Sequence, residues 1–228
     1  MKNAPLLFLG LLGAVTLSWA GLVLGSQLQL GKLTPYFDEI EGRAFPQRVP
    51  GLAARGELVY VDLGCAACHT QQVRRPGYGS DLERGWGGRQ SVARDSIYRA
   101  RPLLGESRLG PDLANFAGRK SGPPSVDDLL RLLYLGSATH PSYRFLFETR
   151  AIIGQPSDRA LPLTGLAAPE AGHEIVPRER ALTLAAYLLS LNQTYVYPEA
   201  RPVPKSGDAS PQAPAAGAGD AGKAKDGK

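Results

Sequence analysis

Residues 64–75 read GCAACHTQQVRR and contain both cysteines of this 228-residue chain, Cys65 and Cys68. The two thiols are three positions apart, close enough for one turn to present both, and His69 follows directly. This C-x-x-C-H spacing is typical of c-type haem attachment, in which the two thiols add to the vinyl groups of one porphyrin. His69 then supplies an imidazole nitrogen to the iron. The motif predicts one haem c, bound covalently through Cys65 and Cys68 and ligated by His69.

Two other uses of a cysteine pair fit this sequence less well. A C-x-x-C redox disulfide is expected beside a strand in a βαβ arrangement, and no strand series is recognisable in the sequence. A structural zinc site needs four ligands, and the chain has no third cysteine. Haem is attached to such proteins on the outer side of the membrane, and the N-terminal segment, described next, predicts that the rest of the chain lies on that side.

That N-terminal segment has no charged residue between Lys2 and Lys32. Residues 5–30 are mostly apolar, and a helix of roughly 20 such residues crosses a bilayer. A cleaved signal peptide is the alternative, but its apolar region is usually about 7–15 residues long. The run here continues past Ala20, which favours a retained single-pass anchor over residues 1–31. Lys2 favours a cytoplasmic N-terminus, with the rest on the periplasmic side of a bacterial inner membrane.

Composition divides the rest of the chain into three parts. Proline and glycine punctuate residues 32–52, which we interpret as a linker. Residues 53–197 alternate short helical patterns with loops and form the predicted cytochrome c domain. Residues 198–228 are rich in Pro, Ala, Gly, Ser and Lys without apolar periodicity, so we expect a disordered tail.

Apolar periodicity predicts three helices in the domain, over residues 53–63, 125–135 and 177–191. Ser125 is a favourable N-cap residue, and Pro177 suits a first helical turn. The long Gly- and Arg-rich stretch between the first two helices has no periodicity. A loop of that length in a compact domain needs something to organise it, such as a large cofactor. The predicted fold class is therefore mainly α with long loops.

Residues around and beyond the attachment motif resemble a known protein family, the monohaem membrane-anchored subunit II of cbb3-type (C-family) haem–copper cytochrome c oxidases. The resemblance covers roughly residues 5–197 and includes the single N-terminal anchor. Its motifs are C-x-x-C-H-T-Q-Q-V-R (65–74), Tyr78-Gly79, the segment around Trp86, and R-x-G-P-D-L (108–113).

The resemblance implies a class I-like cytochrome c domain held at the membrane by one helix. In the family, small and aromatic residues form the crossing of the first and last helices; the corresponding residues here are Gly56, Tyr60, Ala186, Tyr187 and Leu188. The proline of the family's G-P-x-L turn is Pro111 in this chain. Its carbonyl is expected to accept a hydrogen bond from the second nitrogen of His69, which would fix the orientation and tautomer of the ring.

One position departs from the family's pattern. A methionine followed by proline supplies the second axial ligand in the family, whereas His140 precedes Pro141 here, and the chain's single methionine is Met1. The sixth coordination position is therefore left to His140, to His173 or to no residue at all. We favour His140, because the Leu-rich helix before it would deliver it to the haem face opposite His69.

A haem with both axial positions filled by protein side chains exchanges electrons and has no place for a substrate at the iron. The resemblance therefore implies an electron-transfer subunit that is not itself catalytic. Its expected partners are a membrane-embedded haem–copper catalytic subunit and other cytochrome c subunits. The monohaem subunit of a nitric oxide reductase-like complex and a haem sensor with an open sixth site remain as alternatives.

Basic side chains outnumber acidic ones in residues 74–120. On a membrane-anchored haem domain, such residues are expected to pair with haem propionates or acidic partner surfaces rather than with nucleic acid. Arg74 and Arg75 lie just after the attachment motif and are the candidates for propionate contacts.

Overall fold

In the computed structural model, which describes residues 3–201, the N-terminal apolar segment forms one continuous helix from Ala4 to Leu30. It comprises α1 (Ala4–Trp19), a π-helical turn (Ala20–Leu24) and α2 (Gly25–Leu30). This helix of 27 residues has a mean hydropathy of 2.1, and its apolar part is not buried against the rest of the protein. Its length and composition are those of a membrane-spanning helix. Lys2, on which the predicted orientation rests, lies outside the described residues.

The region interpreted as a linker, residues 32–52, is more ordered than the sequence suggested. It contains an antiparallel hairpin made of β1 (Tyr36–Asp38) and β2 (Arg43–Phe45). Tyr195, from the C-terminal part of the chain, stacks on Phe45 with ring centroids 3.9 Å apart. Its hydroxyl donates a hydrogen bond to Asp38 at 2.6 Å. These contacts hold the hairpin against the domain.

Three helices follow, and they lie close to the predicted positions: α3 (Gly51–Asp62), α4 (Val126–Leu135) and α5 (Glu179–Ser190). Ser125 caps α4, since its side chain accepts a hydrogen bond from the Asp128 N–H at 3.1 Å. The predicted start of the last helix is wrong, because Pro177 pairs with Phe147 in a second antiparallel hairpin. That hairpin consists of β3 (Phe147–Ala151) and β4 (His173–Pro177).

The first and last helices of the domain, α3 and α5, cross at Gly56. A Cβ atom at this position would lie 1.9 Å from the Thr183 carbonyl oxygen, so only glycine permits the close approach. Next to the crossing, the buried rings of Tyr60 and Tyr187 lie 5.5 Å apart. Leucines of α4 complete the same core: Leu129, Leu130 and Leu133. The domain is thus the mainly helical cytochrome c fold that the resemblance implied.

Buried carboxylates organise the long loop between α3 and α4. Asp81 is fully buried and accepts hydrogen bonds from the guanidinium groups of Arg74, at 2.7 Å, and Arg108, at 2.9 Å. Asp95 and Arg89 form a second pair, 2.6 Å apart and only 5% exposed on either side chain. These ion pairs therefore contribute to the order of the loop.

The first residues of the predicted tail are also packed onto the domain. Pro198–Ala200 form a short 3₁₀ turn in which Ala200 is buried. Glu199 pairs with Arg94 at 2.5 Å. The remainder of the predicted tail, residues 202–228, lies outside the described residues.

Candidate haem site

The attachment motif begins where α3 ends. Gly64 adopts a left-handed conformation, with φ of 70°, and turns the chain into a 3₁₀ turn over Cys65–Ala67. Cys65 is half-buried and Cys68 is exposed. Burial raises the pKa of the Cys65 thiol to about 11. One turn therefore presents both sulfur atoms, one of them from a desolvated position.

His69 is held by the turn that contains Pro111. The Nδ1 atom of His69 lies 2.8 Å from the Pro111 carbonyl oxygen. Because a carbonyl only accepts hydrogen bonds, Nδ1 carries the proton and the lone pair of Nε2 remains for a metal. Gly110 packs flat against the ring, and a Cβ there would lie 2.3 Å from Cε1 of His69. Both neighbours fix the imidazole in one orientation and one tautomer.

The backbone after His69 is clamped by Asp112, a residue that the sequence reasoning treated only as part of a turn. Its buried carboxylate accepts hydrogen bonds from the Thr70 hydroxyl and from the Gln72 N–H, the latter at 2.8 Å. The Tyr60 hydroxyl donates to the His69 carbonyl at 3.3 Å and so links the clamp to the helix crossing. No sequence signal could have found this role, because the donors to Asp112 lie about 40 positions earlier in the chain.

His140 is delivered by the loop after α4. Gly136 ends the helix with φ of 70°, and a Cβ there would lie 2.7 Å from the His140 carbonyl oxygen. The Ser137 N–H donates to that carbonyl at 2.8 Å, and the Ser137 hydroxyl accepts from the His140 N–H at 3.1 Å. This tight loop places the His140 ring next to that of His69, with centroids 6.3 Å apart and an angle of 48° between their planes.

The spacing of the two rings fits a shared iron atom. A metal–imidazole bond is about 2 Å and the ring centre lies about 1 Å further, so two axial imidazoles have centres about 6 Å apart. Nδ1 of His140 is buried and has no hydrogen-bond partner among residues 3–201. Burial, and then the neighbouring His69, lower the pKa of His140, which keeps its imidazole in the neutral form that binds metals. The residues present therefore fit a haem between the two histidines.

His173 occupies a different environment. It is exposed at the start of β4, where it pairs with Ala151 across the hairpin. The ring contacts of the described residues join His69 to His140, not to His173. For the sixth coordination position of the iron, the geometry therefore favours His140 over His173.

The arginines after the motif are already engaged by protein groups. Arg74 forms its ion pair with Asp81, and the guanidinium of Arg75 lies 3.8 Å from the centre of the Tyr78 ring. Arg119, which the sequence reasoning did not single out, donates to the Asp112 carbonyl at 2.6 Å. Its Nε is buried and has no hydrogen-bond partner in the part of the chain that the structure describes. Desolvation lowers the pKa of Arg119. This guanidinium lies near the proximal turn with unused hydrogen-bonding capacity.

Comparison with protein families assigns the chain. The family model described as cytochrome c oxidase, mono-heme subunit/FixO, matches residues 33–176. The matched region includes Cys65, Cys68, His69 and His140. Comparison with curated proteins gave no match. The family match confirms the resemblance to subunit II of cbb3-type oxidases and does not favour a nitric oxide reductase-like subunit or a haem sensor. The chain therefore belongs to the mono-haem subunit family of cytochrome c oxidases, membrane-associated haem proteins that carry electrons within the oxidase complex.

Proposed function

We propose that the chain binds one haem c covalently through Cys65 and Cys68, with His69 and His140 as its axial ligands, and that it passes electrons to the catalytic subunit of the oxidase. The observation that supports this proposal best is the 6.3 Å separation of the two imidazole rings. The thiols of the attachment motif lie on the turn that leads directly into His69.

The bound haem would supply one-electron exchange between ferrous and ferric iron. Around it, the Pro111 carbonyl holds the Nδ1 proton of His69 and makes the ring a stronger electron donor. His140 would provide a second imidazole where the family has a methionine. Imidazole donates more strongly than a thioether and stabilises ferric iron, so we expect a lower reduction potential than in a methionine-ligated relative.

For the haem propionates, Arg119 is a better candidate than Arg74. Asp81 neutralises Arg74, whereas Arg119 is desolvated and retains an unpaired Nε. A charged guanidinium gains most from an anionic partner when it is partly buried and lacks one. Arg75 remains a candidate through its guanidinium, which lies over Tyr78 and makes no ion pair in the part of the chain that the structure describes.

We further propose that the helix Ala4–Leu30 spans the bacterial inner membrane once and that the haem domain lies on the periplasmic side. The apolar length of the helix supports the span, and the charge of Lys2 supports the orientation. The direct partner would be the membrane-embedded haem–copper subunit, with other cytochrome c subunits as electron donors.

The proposed function is tested in the assembled oxidase. The complex would be purified with wild-type chain and with Cys65→Ala/Cys68→Ala, and oxygen consumption with a reduced soluble cytochrome would be measured. We expect the variant complex to lose most of its turnover while the spectrum of the catalytic subunit is unchanged. Full turnover in a complex that contains the haem-free variant would contradict the proposed role.

A further inference from the structure

A cavity of about 660 Å³ lies where the N-terminal helix meets the haem domain. Gln27 and Leu30 line it from the helix, and Gln71, Ser96, Ile97 and Arg99 are among the residues that line it from the domain. The apolar helix ends at Leu30. If that helix spans the membrane, the cavity lies at the level where hydrocarbon gives way to lipid headgroups. Its volume is within the range of about 300–1,000 Å³ that is usual for small-molecule sites.

One wall of the cavity contains a buried amide that positions the Arg99 guanidinium. Gln71 is 6% exposed, and its Oε1 accepts hydrogen bonds from the Tyr187 hydroxyl, at 2.9 Å, and from the Arg99 guanidinium. A guanidinium only donates, so this contact fixes which end of the amide is oxygen. Gln71 therefore holds Arg99 in place at the wall of the cavity.

The charge of the cavity favours an anion. Among the described residues that line it, Arg99 carries the only charge, and no Asp or Glu is present. Arg99 forms no ion pair with any carboxylate in residues 3–201. The Arg99 guanidinium and the Ser96 hydroxyl are donors, and phosphate oxygens are strong acceptors.

We propose that this cavity binds the headgroup of an anionic phospholipid, with its phosphate at Arg99 and its acyl chains along the N-terminal helix. The proposal rests on the membrane insertion proposed above. Apolar lining residues such as Leu30 and Ile97 suit the glycerol backbone of a lipid that enters from the bilayer side. A phosphate here would give the Arg99 guanidinium an anionic partner.

The bound lipid would act on the orientation of the haem domain. Gln71 is two residues from His69, and Tyr187 joins it to the crossing of α3 and α5. A headgroup that bridges the N-terminal helix and Arg99, which donates to Gln71, would therefore fix the distance and angle between the bilayer surface and the proximal ligand.

The test uses the full-length haem-loaded protein in detergent, titrated with short-chain phosphatidylglycerol or phosphatidylcholine and analysed by native mass spectrometry. We expect the wild type to retain one phosphatidylglycerol in preference to phosphatidylcholine. Arg99→Gln should weaken phosphatidylglycerol binding about fivefold, since one cationic contact near the membrane surface is worth about 1 kcal/mol. Arg101→Gln removes the same charge from an exposed position outside the cavity and should bind like the wild type.

A second variant, Ser96→Asp, places a carboxylate beside Arg99 and should abolish phosphatidylglycerol retention while the haem spectrum is unchanged. Equal losses in Arg99→Gln and Arg101→Gln would overturn the proposal, because only general charge attraction would then be at work. Displacement of the phospholipid by a quinol analogue would overturn it in favour of a quinone site. Carbonate extraction of the same membranes separates the two hypotheses. Release of the chain would contradict the membrane insertion, whereas a retained chain without lipid preference would contradict the lipid site alone.

Discussion

The two histidines that face each other across the candidate site are supported very differently. His69 is held on its ring by the Pro111 carbonyl and by Gly110, and on its backbone by Tyr60. The Asp112 carboxylate accepts hydrogen bonds from Thr70 and Gln72, which follow His69. His140 lies in a short loop that is closed by hydrogen bonds with Ser137, and Nδ1 of its ring has no hydrogen-bond partner within residues 3–201. Protein groups alone orient His69, whereas the ring of His140 would be held by the iron of the proposed haem.

This difference separates two kinds of substitution. Changes on the proximal side should disturb the fold, because buried donors and acceptors lose their partners there. Changes at the distal side should alter coordination and leave the fold intact. The following predictions test that separation.

The largest effect is expected at the attachment motif. Cys65→Ala/Cys68→Ala should remove all covalently bound haem, since both thioether bonds are lost. A haem-stained denaturing gel should show a band at the mass of the wild-type chain and none for the variant. A stained band in the double variant would rule out attachment at these cysteines.

His140→Ala should open the sixth coordination position, so that the reduced spectrum becomes sensitive to CO. His140→Met should restore a six-coordinate state with a higher reduction potential and the weak near-infrared sulfur-to-iron band, because methionine donates less strongly. Thermal unfolding of both variants should stay near that of the wild type if the fold does not depend on this ligand loop.

His173→Ala is the matched control for this prediction. Because His173 is exposed in β4, the haem spectrum and reduction potential of the variant should equal those of the wild type. If His140→Ala remained six-coordinate and insensitive to CO, the distal assignment would be wrong.

Asp112→Ala should lower the free energy of unfolding by about 3 kcal/mol, because the Thr70 hydroxyl and the Gln72 N–H would lose a buried acceptor. Denaturant titration followed by far-UV circular dichroism measures the change. Asp158→Ala, at an exposed turn position, should cost less than about 0.5 kcal/mol. Equal stability of the two variants would contradict the clamp.

Asp81 should make stability depend on pH in the acid range. Burial raises its pKa, but hydrogen bonds from Arg74 and Arg108 lower it more, to about 2 from the ordinary 3.8. A carboxyl group whose pKa is lower in the folded state than in the unfolded state stabilises the fold fully above its unfolded-state pKa. That contribution, here about 2 kcal/mol, is lost as the pH falls through the folded-state pKa. Between pH 5 and 2, the free energy of unfolding should therefore fall more steeply with falling pH in the wild type than in Asp81→Asn. Asp158→Asn is the control for loss of one carboxyl group, and the same slope for Asp81→Asn and the wild type would count against this ion pair.

The smallest effect is expected at the distal loop. Ser137→Ala removes the hydrogen bond from the His140 N–H and should lower the free energy of unfolding by about 0.5–1 kcal/mol. The low-spin spectrum should be unchanged, since the metal bond holds the ring. A loss of several kcal/mol would show that the distal loop is as important to the fold as the proximal clamp. Ser142→Ala, in the same loop, is the control.

Much of this architecture could be predicted from the sequence because it depends on local pattern. The spacing of Cys65, Cys68 and His69 and the periodicity of α4 are properties of short stretches. The crossing at Gly56 followed from the resemblance.

The rest depends on partners that are distant in sequence. Strand β3 pairs with β4 across more than twenty residues, and neither strand is long enough for alternation to be recognised. The carboxylates of Asp81 and Asp112 resemble surface residues until their donors are known. Pro177 suits a helix start and a strand end equally well, so its position was decided by pairing with Phe147.

The hairpin β1–β2, stacked on Tyr195, has a consequence for how electrons reach the next acceptor. A flexible connection of about 20 residues would let the haem domain move over roughly 25 Å and contact its electron donor and its acceptor in turn. The stacking of Phe45 and the hydrogen bond to Asp38 attach residues 36–45 to the domain, so only residues 31–35 connect it to the N-terminal helix. In the proposed oxidase, so short a connection would keep the haem domain beside one acceptor and leave its electron donors to come to it.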